Sequence, residues 1–161
     1  MTQTDATTEK SRPMTAPLEG IPLPDVDALP DYERGFWEGT AARELRIQRC
    51  SDCRVFRHPP VPMCPRCHSL GYQWAPTTGL GRVYSFLVAW TPVHRALREK
   101  EQTPYNICLV ELEDQPQLRV ISNVLHVPPE DIRVDMPVQV TFMPAADDPE
   151  VVLPMFVPRA R

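Results

Sequence analysis

Four cysteines in two closely spaced pairs constrain the fold of this chain more than any other feature. Cys50-Ser-Asp-Cys53 and Cys64-Pro-Arg-Cys67 each place two thiolates on one side of a tight turn, and ten residues separate the pairs. Two such turns that face each other form a closed S₄ site, which suits Zn²⁺. Because four protein ligands leave the ion no open position, we expect a structural zinc rather than a catalytic one.

Other interpretations of the thiols are weaker. A redox CxxC motif needs no second pair, and iron–sulfur proteins usually have other spacings, although four thiolates also suit a rubredoxin-like iron centre. His58 and His68 are left over, and we expect them to face solvent or a ligand. Cys108 lies in an apolar run, so we expect it to pack in the core rather than act as a nucleophile.

Proline limits the rest of the fold. The chain has 20 prolines among 161 residues, and proline removes a backbone donor and fixes φ, which excludes a helical bundle. After the cysteines come five strand-like runs, with a helical turn between the third and the fourth, at 81–90, 105–113, 118–125, 137–143 and 151–157. This layout predicts a mostly β fold with a five-stranded OB-type barrel; a sandwich fragment is the alternative.

The sequence divides into four parts. Residues 1–30 contain five prolines and no periodicity, which predicts a disordered or extended arm, either an inert tail or one that wraps a partner. We expect an N-terminal helix at 31–44, a rubredoxin-like zinc ribbon at 45–79 and an OB-fold domain at 80–161. A ribbon of ~30 residues cannot bury enough surface to fold alone, so metal binding is expected to stabilise it.

The chain shows no sign of membrane insertion or secretion. No apolar run approaches the ~20 residues that cross a bilayer, and the N-terminus lacks the apolar segment of a secretory signal. We therefore expect a cytoplasmic protein, in which the five cysteines do not form a disulfide framework.

The positive charge is concentrated beside the cysteines. The chain has a net charge of −4 and a pI of about 5.6, yet residues 43–68 carry six arginines against two acids. A nucleic-acid-binding domain is usually basic throughout, with a pI above ~9. The local excess of arginine therefore favours a small anionic ligand or an acidic partner over a polymer.

A series of motifs gives the chain a family resemblance. A helix with Phe36-Trp-Glu38 is followed by Leu45-Arg-Ile-Gln-Arg-Cys50, then by Cys64-Pro-x-Cys67-x-Ser and by Gly79-x-Gly81-x-Val-Tyr-Ser-Phe86. Over residues 31–158 this order resembles the acyl-CoA-associated family that combines a rubredoxin-like zinc ribbon with an OB fold, long catalogued as a domain of unknown function. The family often has Gly after the second cysteine, where this chain has Arg54.

The resemblance implies a non-catalytic accessory subunit of an acyl-CoA-processing complex. In such a complex a thiolase-fold partner, a β-ketothiolase or an aldolase of steroid side-chain breakdown, holds the catalytic residues, and the small subunit assists assembly and helps to hold coenzyme A. We assign no catalytic residue to this chain. The alternative is a nucleic-acid-binding zinc-ribbon and OB module, which the acidic barrel segment disfavours.

Arginine is the best donor to the phosphates of coenzyme A, because its charge-assisted hydrogen bonds match phosphate geometry. The candidates lie on or beside the two CxxC turns and are Arg49, Arg54, Arg57 and Arg66, with His58 as an additional donor. The alternative for these arginines is a solvated face or ion pairs with an acidic partner. The candidates for a partner interface are Phe36, Trp37, His94, Arg95 and Arg98.

The first barrel strand is apolar on both faces, with Tyr84, Phe86, Val88 and Trp90 on one and Val83, Leu87 and Ala89 on the other. A strand of this kind is covered on both sides. One cover is the barrel core. We assign the other to the N-terminal helix, with a subunit interface as the alternative.

Overall fold

The computed structural model describes residues 11–92, 95–97 and 104–159. Residues 11–30 form an arm without regular structure apart from a 3₁₀ turn at Val26–Ala28. Helix α1 follows at Asp31–Ala41. Asp31 is its first residue, and Pro30 occupies the capping position without a side-chain hydrogen bond.

The ribbon is a small antiparallel sheet. Its strands are β1 (Arg46–Cys50), β2 (Phe56–Arg57) and β3 (Tyr72–Pro76), in the order β2-β1-β3. Strand β1 lies in the centre and ends at the first cysteine, which places the first CxxC turn at the end of the sheet.

The barrel is a five-stranded antiparallel sheet that curls on itself. Its strands are β4 (Leu80–Ala89), β5 (Tyr105–Leu112), β6 (Arg119–Ser122), β7 (Pro137–Pro144) and β8 (Val152–Pro158). They lie in the order β6-β5-β4-β7-β8, and a parallel bridge between Val124 and Phe156 joins the two edges. A 3₁₀ turn at Pro129–Asp131 falls between β6 and β7. The predicted mostly β fold with an OB-type barrel is confirmed.

A single hydrophobic core joins the two modules. Leu45 and Ile47 from the ribbon, and Phe36 from α1, pack in one buried cluster with barrel residues such as Val110 and Phe156. The ribbon therefore buries its main apolar side chains against the barrel rather than within itself.

Helix α1 does not cover the outer face of β4. It contacts β1, β3 and β8, and Tyr84 and Leu87 remain about half exposed, so the assignment of the helix to that face is wrong. A bulge between Val83 and Ser85 shifts the alternation of the strand. Val83 and Phe86 consequently face the core, while Tyr84 and Leu87 face outward.

The arm follows the outside of the barrel. Met14 is buried in a second cluster with Tyr105, Leu125 and Met155, and its carbonyl accepts a hydrogen bond of 2.8 Å from the backbone N–H of His126. The backbone N–H of Gly20 donates to Asp147. No helix within 11–92, 95–97 and 104–159 combines the length and the hydropathy needed to cross a membrane.

Gly35 allows α1 to approach the ribbon closely. A Cβ atom at this position would overlap the indole ring of Trp74 on β3. Glycine lowers helix stability by ~1 kcal/mol relative to alanine, so its presence here is explained by packing and not by helix propensity.

We expect Gly35→Ala to lower the free energy of unfolding by ~1–3 kcal/mol despite the better helix propensity of alanine, because the added methyl group overpacks the contact with Trp74. Urea unfolding of the wild type, of Gly35→Ala, of Trp74→Leu and of the double variant measures these free energies. Combining Gly35→Ala with Trp74→Leu is expected to remove most of the cost of the glycine substitution. An equal cost in both backgrounds would contradict the explanation.

Candidate metal centre and ligand-binding residues

The four paired cysteines converge at one end of the ribbon. Their Sγ atoms all lie within 4.8 Å of one another, and the Cys50–Cys67 and Cys53–Cys64 Sγ distances are each 3.6 Å. A tetrahedral Zn²⁺ with Zn–S bonds of about 2.3 Å requires sulfur atoms about 3.8 Å apart. The donor set and its spacing therefore fit one tetrahedral zinc ion.

The two turns that carry the cysteines have the same backbone design. The residues that follow the second cysteine of each pair, Arg54 and His68, have φ of 63° and 62°. The backbone N–H of His68 donates to the Cys64 carbonyl at 2.9 Å, which closes the second turn. A positive φ favours glycine, which explains the glycine that is common here in the resembling family; in this chain Arg54 adopts the same conformation.

Backbone donors stabilise two of the thiolates. The N–H group of Cys53 lowers the pKa of the Cys50 thiol, although burial opposes this. Burial raises the pKa of the Cys64 thiol, but the N–H groups of Cys67 and Arg66 outweigh it and lower the pKa to about 6. Since the thiolate is the form that binds metal, these two shifts favour coordination. For Cys67 the Ser69 N–H lowers the pKa, but burial and the neighbouring thiols outweigh it and raise the pKa to about 12.

The two histidines lie outside the four-cysteine cluster. His68 is exposed. His58 stacks against Phe36 with ring centroids 5.1 Å apart, and burial lowers its pKa to about 4. His58 is therefore a neutral donor or acceptor at pH 7 rather than a cation.

The arginines near the cysteines fall into two environments. Arg54 and Arg66 are exposed, one on each CxxC turn. Arg49 is partly buried, with its guanidinium 5.1 Å from the centre of the Phe56 ring, and its Nε donates to the Arg54 carbonyl at 2.8 Å. These three residues form an open basic surface beside the metal centre.

Arg57 instead lies inside the ribbon and is only 6% exposed. Its Nε donates to Gln48 Oε1 at 2.6 Å, and its guanidinium lies 6.0 Å from the centre of the Tyr72 ring. Nη1 and Nη2 are buried without a hydrogen-bond partner. Gln48 Oε1 also accepts from the Val61 N–H. The Gln48 amide oxygen therefore connects strands β1 and β2 of the ribbon with the loop before the second cysteine pair.

Three of the candidate interface residues lie in the described part of the chain. Phe36 is buried in the shared core and Trp37 packs against it, while Arg95 is exposed beyond β4. His94 and Arg98 lie outside the described residues. The structure therefore describes three of the five candidates, two of them at the shared core and one beyond β4.

Two cavities could not be predicted from the sequence, because the residues that form their walls are far apart along the chain. The larger, of about 740 Å³, lies between the arm, α1 and the β7–β8 turn, and its walls include six carboxylates, those of Asp25, Asp27, Glu38, Asp147, Asp148 and Glu150. Such a charge repels phosphate. The second, of about 580 Å³, lies between α1, the ribbon loop at 58–60 and strands β6 and β8, and its walls are mainly apolar.

The fold and the cysteine cluster define a zinc ribbon joined to an OB barrel. Residues 37–73 match the family description "ChsH2, rubredoxin-like zinc ribbon domain", and residues 74–143 match "ChsH2, C-terminal OB-fold domain". A "DUF35 domain-containing scaffold protein" of Methanocaldococcus jannaschii is 30% identical over 102 residues, which are 62% of this chain and 68% of that protein. The chain belongs to this DUF35 family, as its motifs predicted.

Longer relatives carry the names of enzyme subunits. A "Probable enoyl-CoA hydratase alpha subunit" of Thermomonospora curvata is 39% identical over 78% of this chain, and a "3-oxo-4,17-pregnadiene-20-carboxyl-CoA hydratase alpha subunit" of Mycobacterium tuberculosis is 35% identical over 77%. The matched part of this chain spans 37% and 39% of their respective lengths.

A solved structure titled "Ltp2-ChsH2(DUF35) aldolase" superposes with a TM-score of 0.71 at 37% identity. The match covers 81% of this chain and 97% of that chain. A DUF35 protein of Sulfolobus solfataricus matches with a TM-score of 0.54 at 12% identity, which shows the fold alone.

Together the ribbon family and the four-cysteine cluster support a structural zinc. We expect elemental analysis of the purified chain to find one zinc per chain, and Cys50→Ser or Cys64→Ser to lose it and to speed hydrogen exchange of β1 and β3, because coordination holds the ribbon together. Cys108→Ala is the control and is expected to keep the metal. Stoichiometric iron would favour the rubredoxin-like alternative, and full metal content in both serine variants would contradict the site.

The low pKa of His58 predicts a pH-dependent stability. Between pH 7.5 and 5.5 the unfolded chain protonates His58, with a usual pKa near ~6.5, whereas the folded chain does so only near a pKa of about 4. The free energy of unfolding therefore decreases by ~1 kcal/mol as the pH falls from 7.5 to 5.5. His58→Phe preserves the ring contact with Phe36 but cannot be protonated. Urea unfolding at the two pH values is expected to show a smaller decrease in the free energy of unfolding for this variant than for the wild type. An equal decrease in both proteins would show that His58 does not cause the pH dependence.

Proposed function

We propose that this chain is a non-catalytic subunit of an acyl-CoA-processing complex, in which a thiolase-fold partner carries the catalytic residues. The observation that supports this most directly is the similarity to the DUF35 chain of the Ltp2-ChsH2 aldolase, since this chain covers 97% of it. The two hydratase alpha subunits independently connect the same two modules with CoA thioesters.

The chemistry of the cysteines agrees with a non-catalytic role. Four of the five thiols form the closed metal cluster. The fifth, Cys108, is buried, and burial raises its pKa to about 12, so at neutral pH it is a protonated thiol with no access to substrate. Carbon–carbon bond cleavage would then belong to the partner subunit.

The exposed arginines of the two CxxC turns are the proposed contacts to the phosphates of coenzyme A. Arg54 and Arg66 present free guanidinium groups beside the metal centre, and Arg49 is held next to Arg54 by its hydrogen bond. Arg57 acts differently: because it is buried against Gln48 and Tyr72, it supports the ribbon rather than a ligand.

The partner is tested by capture. A tagged chain expressed in its own source cells is expected to retain a thiolase-fold subunit, identified by mass spectrometry of the stoichiometric species after size-exclusion chromatography. Recovery of ribosomal or replication proteins instead, together with binding of single-stranded oligonucleotide at physiological salt, would favour the nucleic-acid alternative and contradict the proposal.

Coenzyme A binding is tested on that complex by calorimetry. We expect Arg54→Gly and Arg66→Ala each to weaken CoA binding about tenfold, because a charge-assisted hydrogen bond contributes ~1.5–3 kcal/mol. Glycine is used at position 54 because it accepts the positive φ found there. Arg133→Ala, which removes an exposed arginine between β6 and β7, is the control. Unchanged CoA affinity in both Arg54→Gly and Arg66→Ala would exclude these two arginines as CoA contacts.

A further inference from the structure

One outer face of the barrel exposes apolar side chains that none of the residues in 11–92, 95–97 and 104–159 cover. Tyr84, Leu87 and Ile121 are 46%, 50% and 71% exposed. The strand register places Leu87 and Ile121 on one surface, because Leu87 lies opposite Ile107, Leu109 follows two residues later on the same face of β5, and Leu109 lies opposite Ile121. Tyr84 lies on the same side, because its ring contacts Arg119, which is two residues from Ile121 on β6. We call this surface, formed by β4, β5 and β6, the outer face. Contiguous apolar surface of this kind marks interaction sites.

The described part of the arm and helix α1 both end at the border of the outer face. Leu18 and Ile21 of the arm pack on the neighbouring cluster that contains Met155, with Ile107 at its edge. Helix α1 lies further round, against β1, β3 and β8. The arm thus covers the adjoining outside of the barrel and leaves Leu87 and Ile121 open.

The charged end of the outer face is already ordered. The Arg119 guanidinium lies 3.5 Å from the centre of the Tyr84 ring, and its Nε donates to Glu111 at 2.9 Å. These contacts hold both long side chains in place before any partner arrives. Tyrosine and arginine are enriched among the residues that contribute most to protein–protein binding, and an ordered side chain loses less entropy on association.

Ile121 also forms part of the wall of the 580 Å³ cavity, so the outer face borders this cavity. The remaining walls are largely apolar and include Phe36, Trp37, Pro59, Pro60, Leu153 and Met155. His58 lies in the same wall and is uncharged at pH 7 because burial lowers its pKa to about 4. Such a cavity accepts an aromatic or aliphatic side chain from a partner.

We propose that the outer face, with the adjoining cavity, is the surface on which the catalytic partner subunit docks, and that the partner inserts an apolar side chain into the cavity. This assignment rests on the proposed function. The neighbour titled as an aldolase complex is 97% covered by this chain, so the surface that this neighbour contributes to its complex has its equivalent on the two modules described above. Among the described residues, the large exposed hydrophobic side chains outside the outer face are Met63, Leu70, Trp90 and Val134.

The assignment separates docking from CoA binding. Arg54 and Arg66 lie on the CxxC turns, whereas the outer face belongs to the barrel. Substitutions on the outer face are therefore expected to change the affinity for the partner subunit and not the metal content.

The test measures affinity for the thiolase-fold subunit that co-purifies with the wild-type chain, produced separately and used as a purified protein. Ile121→Glu and Leu87→Glu are expected to weaken binding at least tenfold, because a charge is placed in an apolar contact. Leu70→Glu is the matched control, since Leu70 is 70% exposed on the ribbon and Ile121 is 71% exposed. It is expected to change the affinity less than twofold, with metal content and Tm unchanged in all three variants.

The cavity is tested from the helix. Glu33 lies in the wall of the 580 Å³ cavity and Glu38 in the wall of the acidic one, and both belong to α1. Glu33→Trp fills the apolar cavity and is expected to weaken partner binding, whereas Glu38→Trp makes the same change on another side of the helix and is expected to leave binding intact.

Each other outcome rejects the assignment in a distinguishable way. If the wild type binds the subunit and the outer-face variants bind equally well, docking occurs elsewhere and the proposed function stands. If the wild-type chain alone is a dimer that Ile121→Glu dissociates, the outer face joins two copies of this chain instead. If no thiolase-fold subunit is captured, the proposed function fails, and the assignment fails with it.

Discussion

Coordination of one ion by four thiolates is the interaction on which the arrangement of the rest depends, because the ribbon has little apolar interior of its own. Its central strand gives Ile47 to the core that it shares with the barrel, and its second strand has only two residues. What remains to hold the two turns together is the sulfur cluster and the backbone hydrogen bonds around it. In small modules of this kind the free energy of metal binding is a large part of the free energy of folding.

The effect of the metal extends beyond the cysteines through a few polar contacts. The Phe56 backbone, three residues beyond the first pair, exchanges two hydrogen bonds with the Gln115 side chain of the barrel, at 2.8 and 3.0 Å. Gln48 links Arg57 to the Val61 N–H. The loop at 58–60, which forms one wall of the apolar cavity, lies between the Phe56–Gln115 and Gln48–Val61 hydrogen bonds. The metal centre therefore shapes a surface that it does not touch.

The parts of this structure that the sequence predicts correctly are those encoded by local spacing. Two CxxC pairs ten residues apart determine the ribbon, and five short runs separated by turns determine the barrel. The predicted cover of β4 failed because a bulge at Val83–Ser85 cannot be read from an alternation of apolar residues. The burial of Arg57 could not be predicted either, because it follows from the pairing of β2 with β1, which places Arg57 opposite Gln48.

Burial of Arg57 shows how a charge can serve position rather than recognition. A guanidinium removed from water without a carboxylate costs several kcal/mol unless other groups offset the loss. Within the described residues, the Gln48 amide oxygen and the Tyr72 ring are the polar and aromatic contacts of this group. Gln48 is held between the guanidinium and the Val61 N–H, and this fixes the path of the loop that forms the cavity wall. A residue that resembles a ligand contact in the sequence is thus held inside the ribbon, next to the loop that borders the proposed docking surface.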